Sequence, residues 1–261
     1  MELNFYKYQG TGNDFIIFDN RGGTMEMDAK QIRTVCDRHK GIGADGVMWL
    51  NKKEGFDFEM KYFNADGGEG SMCGNGGRCL IKFASKMGIK RSSYRFTAFD
   101  GEHQAKIDES GIVRLKMNDV HKVKLDGGDY ILNTGSPHYI RLVGDASAIN
   151  VYNEGRTVRN SKEFVNEGIN VNFVSRISDD EIEVRTYERG VEDETLSCGT
   201  GVTASALISA HNDIGFNRVE VTTPGGHLSV EFDKIDENNF KHIWLCGPAE
   251  LVFTGTININ P

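Results

Sequence analysis

The sequence predicts an α+β protein made of two pseudo-symmetric domains that arose by internal duplication. Three observations predict it. Alternating, strand-like segments separated by short Gly, Asn and Asp clusters dominate the chain, and helical stretches are few. One succession of parts occurs twice. Equivalent points of the two copies also keep a constant offset of 125 residues, between Cys73 and Cys198 and between Phe99 and Pro224.

In chain order, Asp28 to Arg38 is helical in pattern and is followed by Gly41 to Gly46 and the strand-like VMWL. Phe58 to Phe63 (FEMKYF) alternates like a strand and leads into NADGGEGSMCGNGG. A helical run follows from Arg78 to Met87, closed by Gly88, then the strand-like YRFTAF and the turn Asp100-Gly101. In the second half Ile182 to Tyr187 (IEVRTY) alternates, and ERGVEDETLSCGTG takes the place of the first Gly-rich turn. A helical run from Val202 to Asn212, closed by Gly215, leads to RVEVTT and Gly225-Gly226. Two copies are too few for a solenoid. The expected domains are therefore 1–117 and 118–261, with the division near Lys116 to His121 and the last strand, about 248–261, a candidate to join the first domain. A crevice between two such domains is a favoured place for a small-molecule site.

Composition narrows the function. The chain has 261 residues, 15 Phe and 8 Tyr, enough to bury a sizeable core, and 31 Gly against 4 Pro, with no collagen-like period. A net charge of −8 and the lack of any long Lys/Arg cluster argue against nucleic acid and anionic membrane as partners. The N-terminal MELNFYKYQGTGNDF has neither a basic n-region nor an apolar core, so a cytoplasmic location is expected. Five cysteines, at 36, 73, 79, 198 and 246, form no zinc or disulfide pattern, and free thiols and no metal are expected.

The chemistry concentrates at Cys73-Gly74-Asn75-Gly76 and Cys198-Gly199-Thr200-Gly201, each opening a helical run. A thiol at a helix N-terminus meets unpaired N–H groups and the positive end of the dipole, which can bring its pKa from about 8.5 into the range of roughly 3.5 to 7.5. One such Cys is most often a small buried hydrophobe; two in equivalent positions shift the balance toward function. Dinucleotide binding fits poorly. Gly41 to Gly46 precedes a strand instead of opening a helix, and Gly199 to Ala204 lies too far beyond its strand. A Cys nucleophile with a His base leaves the second Cys without a task, and a Cys73 to Cys198 disulfide reads as a side reaction of close thiols. Two acid/base groups supplied from opposite sides are what stereoinversion at carbon requires, one removing the α-proton and the other returning a proton to the opposite face. No Lys stands in the context of a pyridoxal Schiff base, so a cofactor-free mechanism is favoured.

GTGNDF at Gly10 to Phe15, FNADG with MCGNGGRC at Phe63 to Cys79, NEGINVNF at Asn166 to Phe173, and YERG with ETLSCGTG at Tyr187 to Gly201 resemble the signatures of the diaminopimelate epimerases. TPGGHLSVEF and GPAELVFTG are similar to that family as well. The resemblance implies a sheet wrapped around a central helix in each domain and pyridoxal-independent interconversion of LL- and meso-diaminopimelate. It also implies supply of lysine and peptidoglycan synthesis, and a homodimer. It places Cys73 and Cys198 as the catalytic pair, with His138 and Glu188 assisting them as proton acceptors or stabilisers. Asn13, Asn64, Gly74, Asn75, Asn170, Glu188, Arg189, Gly199 and Thr200 fall on its substrate-binding positions. Three departures stand out: Gly46 where many relatives have Gln, Ser136 where they have Asn, and one extra residue in ERGVEDET. The alternatives are another isomerase on the same scaffold or a binding module without chemistry.

Overall fold

The computed structural model describes residues 2–70 and 72–259. The expected domain ends at Met1, Asn260 and Pro261, and Ser71 in the first Gly-rich turn, lie outside the described residues. The first half contains β1 (Glu2–Gly10), β2 (Asn13–Asp19), α1 (Ala29–Cys36), β3 (Gly46–Asn51), β4 (Phe58–Asn64), β5 (Glu69–Gly70), α2 (Gly74–Lys86), β6 (Tyr94–Ala98), β7 (Gly101–Ile107) and β8 (Val113–Lys116). The second contains β9 (Val123–Asp126), β10 (Asp129–Asn133), β11 (Pro137–Leu142), α3 (Val151–Arg159), β12 (Asn170–Arg176), β13 (Glu181–Glu188), β14 (Asp193–Thr195), α4 (Gly199–Ile208), β15 (Gly215–Thr223), β16 (Gly226–Lys234), β17 (Phe240–Gly247) and β18 (Glu250–Asn258). One compact unit is formed by the described residues up to Leu115 together with those from Gly247 onward, the other by Lys116–Cys246.

The two units repeat one topology, as the α+β duplication predicts. In the first, the strand order is β18-β1-β2-β3-β4-β6-β7-β8, with β5 paired to β4. In the second it is β9-β10-β11-β12-β13-β15-β16-β17, with β14 paired to β13. Each has two parallel pairs at equivalent places, β2–β3 and β4–β6 in the first, β11–β12 and β13–β15 in the second. A parallel pair needs a crossover, and the four helices among the described residues supply one each. The C-terminal strand β18 holds in the first unit the place that β9 holds in the second.

Within each unit the second helix is the core. Helix α2 packs against β1, β2, β3, β7 and β18, strands from both ends of its sheet, so the sheet curls around it; α4 is packed likewise by β10, β11, β12, β13, β15 and β16. Leu80, Ile81, Phe83 and Ala84 of α2 are fully buried, and Phe83 meets the rings of Tyr6 and Tyr8 at 4.9 and 6.1 Å. Burial of one such large apolar side chain contributes about 1.5–3 kcal/mol. Because side chains alternate across a strand, Ile16, Phe18, Val47 and Trp49 face the other way and join Ile32 and Val35 of α1 in a second cluster. Tyr139, Val151, Phe173 and Tyr187 do the same around α3.

The helices differ from their sequence-based limits for identifiable reasons. Both central helices begin directly after the cysteines, at Gly74 and Gly199, about one turn before the predicted Arg78 and Val202. Glycine is a poor helix former, so the first turn reads as loop. Packing imposes it instead: a Cβ on Gly76 would lie 2.0 Å from Met48 Cε, and one on Gly201 would lie 2.3 Å from Asn172 Oδ1. Helix α4 stops at Ile208 instead of Asn212, because the Asn212 N–H is captured by Asn217 Oδ1 and its side chain donates to the Phe216 carbonyl. Helix α3 has no counterpart in the sequence reading. It buries only Val151 and Gly155, too few for an apolar period, and is started by the Asn150 side chain accepting from the Asn153 N–H.

Candidate active site

In the first unit the site begins at a tight hairpin. Strands β1 and β2 pair Gly10 with Asn13, leaving Thr11 (φ 51°) and Gly12 (φ 83°) as a two-residue turn of left-handed residues. Threonine resists that conformation; its hydroxyl accepts from Arg78 Nη2 at 3.1 Å, which holds it there. Asn13 is thus the first residue out of the turn. Its Nδ2 donates to Asp45 Oδ2 at 2.6 Å, and its Oδ1 faces Cys73 Sγ at 3.6 Å and Asn75 Nδ2 at 3.3 Å. Cys73 is the N-cap of α2, in extended backbone, and its side chain makes no capping bond. The Asn75 oxygen accepts from Arg78 Nη1 at 3.0 Å, and Arg78, fully buried, also donates through Nε to the Pro248 carbonyl. Behind Asn13, Asp14 receives both Arg38 guanidinium nitrogens and the Lys7 ammonium.

In the second unit the parallel pair β11–β12 sets His138 opposite Asn170, as β2–β3 sets Phe15 opposite Gly46. Fully buried Asn172 donates to the Tyr139 carbonyl and to His138 Nδ1, both at 3.1 Å, while its oxygen accepts from the Thr186 hydroxyl. His138 Nε2 lies 2.9 Å from Thr200 Oγ1 and 3.0 Å from Ser136 Oγ. Thr200 Oγ1 lies 3.5 Å from Cys198 Sγ. Asn170 accepts the Arg189 N–H and donates to Ser136 Oγ and the Pro137 carbonyl. Glu188 accepts from the Thr195 hydroxyl at 2.9 Å, and the exposed Arg189 donates to the Glu167 carbonyl. Cys198, 8% exposed, is the N-cap of α4 and, like Cys73, makes no capping bond through its side chain.

The predicted site residues divide between the two units. Asn13, Asn64, Cys73, Gly74 and Asn75 belong to the first unit; His138, Asn170, Glu188, Arg189, Cys198, Gly199 and Thr200 belong to the second. The two roles open to His138 separate here. Burial, with the Arg189 charge adding to it, lowers its pKa to about 3. Asn172 occupies Nδ1, so the proton sits on Nε2 and the ring is a donor toward Thr200 and Ser136, not a proton acceptor. Ser136, one of the departures, joins His138, Asn170 and Thr200 through one hydroxyl.

Three residues to which the sequence assigns no functional role matter to the site. Asn172 and Arg78 carry buried polar networks, which only the tertiary structure reveals. Tyr62 fills the space at Gly46: a Cβ on Gly46 would lie 2.5 Å from the Tyr62 ring, and one on Gly70 would lie 2.7 Å from it. A longer side chain at 46 and this ring cannot both stand there. The Tyr62 hydroxyl donates to Asn64 Oδ1 at 2.9 Å, which fixes the amide so that its nitrogen is the end left to donate elsewhere. The alternation of FEMKYF marks Tyr62 as a strand residue and nothing more.

The titrating groups make the fold acid-labile. Burial alone would raise Asp14, but hydrogen bonds from Arg38 and Lys7 outweigh it and hold the group at about 2, below 3.8. His138 is held at about 3, below 6.5. Both bind fewer protons folded than unfolded, so stability rises with pH through each interval. The His138 contribution is complete above about pH 6.5 and is lost as pH falls toward 3; that of Asp14 is lost between 3.8 and 2. Thermal unfolding should give a melting temperature that falls from pH 6.5 downward, with the first phase missing in His138→Gln. A melting temperature level down to pH 4 would contradict the His138 assignment.

Among the described residues no group of three His, Cys, Asp or Glu is placed to hold a metal ion, and no helix is long and apolar enough to cross a membrane. None of the five cysteines is in a disulfide.

A duplicated α+β fold with a central helix in each half defines a class to which several solved structures belong. The phenazine biosynthesis protein of the PhzF family from Bacillus anthracis superposes with a TM-score of 0.74, at 16% identity, over 99% of this chain and 100% of that one. A hydroxyproline epimerase from Agrobacterium vitis does so with a TM-score of 0.68, at 13% identity, over 98% and 92%. At those identities the likeness establishes the fold alone. The sequence goes further. It is 45% identical to the diaminopimelate epimerase of Flavobacterium psychrophilum over 98% of this chain and 100% of that protein, and 41% identical to that of Chlorobaculum tepidum over 96% and 99%. The diaminopimelate epimerase family model matches residues 5–123 and 130–252, and the chain belongs to that family.

Proposed function

We propose that this protein interconverts LL- and meso-diaminopimelate without a cofactor, using Cys73 and Cys198 as the two acid/base groups. The observation that carries the reading is the equivalence of the thiols: both are N-caps of the central helix of their unit, in extended backbone, without a capping bond from the side chain. One thiolate breaks the Cα–H bond and becomes a thiol; the other thiol gives its proton to the opposite face of the same carbon and becomes a thiolate. The charge that develops on the substrate carboxylate is met by backbone N–H groups of the first helical turns, at Gly74-Asn75 and Gly199-Thr200.

The distal amino-acid head is held by the amide and guanidinium groups. Asn64, oriented by Tyr62, presents N–H donors that suit a carboxylate, and Arg189 adds a charged fork. Asn13, Asn75, Asn170 and Glu188 complete the set. Lysine biosynthesis and peptidoglycan precursor supply, a cytoplasmic location and a homodimer belong to the same reading. Incubation of the reduced protein, without pyridoxal phosphate, with LL-diaminopimelate tests it: the meso isomer should form and approach equilibrium. Tight binding without isomer formation would favour a binding module.

A further inference from the structure

We propose that the two thiols rest in opposite states before substrate arrives, Cys198 as the thiolate base and Cys73 as the thiol acid, because the hydrogen bonds of the second unit end by donating to Cys198 and those of the first end by accepting from Cys73. The proposal rests on the reading of both as acid/base groups.

The direction of each network is fixed by end groups that only donate or only accept. In the first unit the Asp45 carboxylate accepts only, so Asn13 must turn Nδ2 toward it and Oδ1 toward Cys73. Arg78 donates only, so Asn75 must turn its oxygen to the guanidinium and its nitrogen to the same Asn13 oxygen. A carbonyl oxygen beside a sulfur favours S–H and opposes S⁻. The carboxylates of Asp14 and Asp45 lie behind that amide, met by Arg38 and Lys7.

In the second unit the Tyr139 carbonyl accepts only, which fixes Asn172 as a donor to His138 Nδ1 and leaves the imidazole proton on Nε2. The Arg189 N–H donates only, which fixes Asn170 as a donor to Ser136 Oγ. Donors thus enter the Ser136 and Thr200 hydroxyl pair from two sides. Ser136 Oγ lies 3.1 Å from Thr200 Oγ1, and Thr200 Oγ1 lies 3.5 Å from Cys198 Sγ; with donors already entering the pair, we assign the Ser136 proton to Thr200 and the Thr200 proton to the sulfur. An O–H donor beside a sulfur favours S⁻. On this assignment the resting protein is ready for the isomer whose α-proton faces Cys198. One turnover leaves Cys198 protonated and Cys73 ionised, and proton exchange with water restores the resting pair.

Exposure alone would order reactivity the other way, since Cys198 is buried and Cys73 half-buried. The test is alkylation of the substrate-free protein by iodoacetamide at pH 7, with each cysteine quantified by peptide mass spectrometry. Cys198 should react at least about ten-fold faster than Cys73. Thr200→Val should remove that preference by slowing Cys198 alone, and Thr200→Ser should keep it. Reaction at Cys73 as fast as at Cys198, or a Cys198 rate unchanged in Thr200→Val, would overturn the assignment. No diaminopimelate is present, so failure here and failure of the epimerase reading register separately.

Discussion

Cys73→Ala and Cys198→Ala are each expected to abolish interconversion of LL- and meso-diaminopimelate, with a fall of at least about 10³-fold, while the fold survives. Two acid/base groups acting on one carbon form a unit, so removal of either stops the reaction and the double variant is no worse than the singles. The singles should still differ in what remains. With one thiol left, only the isomer whose α-proton faces that sulfur can exchange with solvent, and it does so without inversion. Residual exchange should therefore be confined to one isomer in Cys73→Ala and to the other in Cys198→Ala. Alanine fills most of the volume of cysteine, so melting temperatures should move little. A single variant that still converts one isomer into the other at more than a tenth of the original rate would remove that cysteine from the reaction.

Arg78→Ala is expected to cause the largest loss of stability of any single change considered, about 3–5 kcal/mol, from a buried cavity and several acceptors left unsatisfied. The guanidinium is fully buried and ties Thr11 Oγ1, the Gly74 carbonyl, Asn75 Oδ1 and the Pro248 carbonyl together. It thus joins the left-handed hairpin, the first turn of α2 and the segment leading to β18. For a chain of this size the loss corresponds to a drop in melting temperature of roughly 10 °C. Arg78→Lys should recover little, because one ammonium on a flexible stem cannot meet acceptors spread across a planar fork. Denaturant unfolding of the three proteins measures the effect, and a loss under about 1 kcal/mol in Arg78→Ala would show that these bonds are replaced by others.

The parts of this account legible in the sequence are those written in local pattern. The duplication, the α+β class and the position of both thiols at helix starts follow from strand alternation, two Gly-rich turns and a fixed offset. Glycine hides how early the central helices begin, because the first turns at Gly74 and Gly199 are imposed by contacts with Met48 and Asn172. Asn172, Arg78 and Tyr62 were silent for the same reason. A buried Asn on a strand, an Arg one turn into a helix and a Tyr in an alternating run look ordinary until residues distant in sequence come to face them. His138 was visible as a candidate, but its donor role depends on Asn172, thirty-four positions further along the chain.

The two-thiol reaction is tested most directly by following LL-diaminopimelate in deuterated water at early conversion, with deuterium measured separately at the α-carbon of each isomer. Because the proton removed goes to one sulfur and the proton returned comes from the other, the first meso product should carry solvent deuterium while unconverted LL substrate keeps its hydrogen. Meso product that retains the original hydrogen, or LL substrate that exchanges before any meso isomer appears, would contradict a mechanism in which Cys73 and Cys198 serve opposite faces of one carbon.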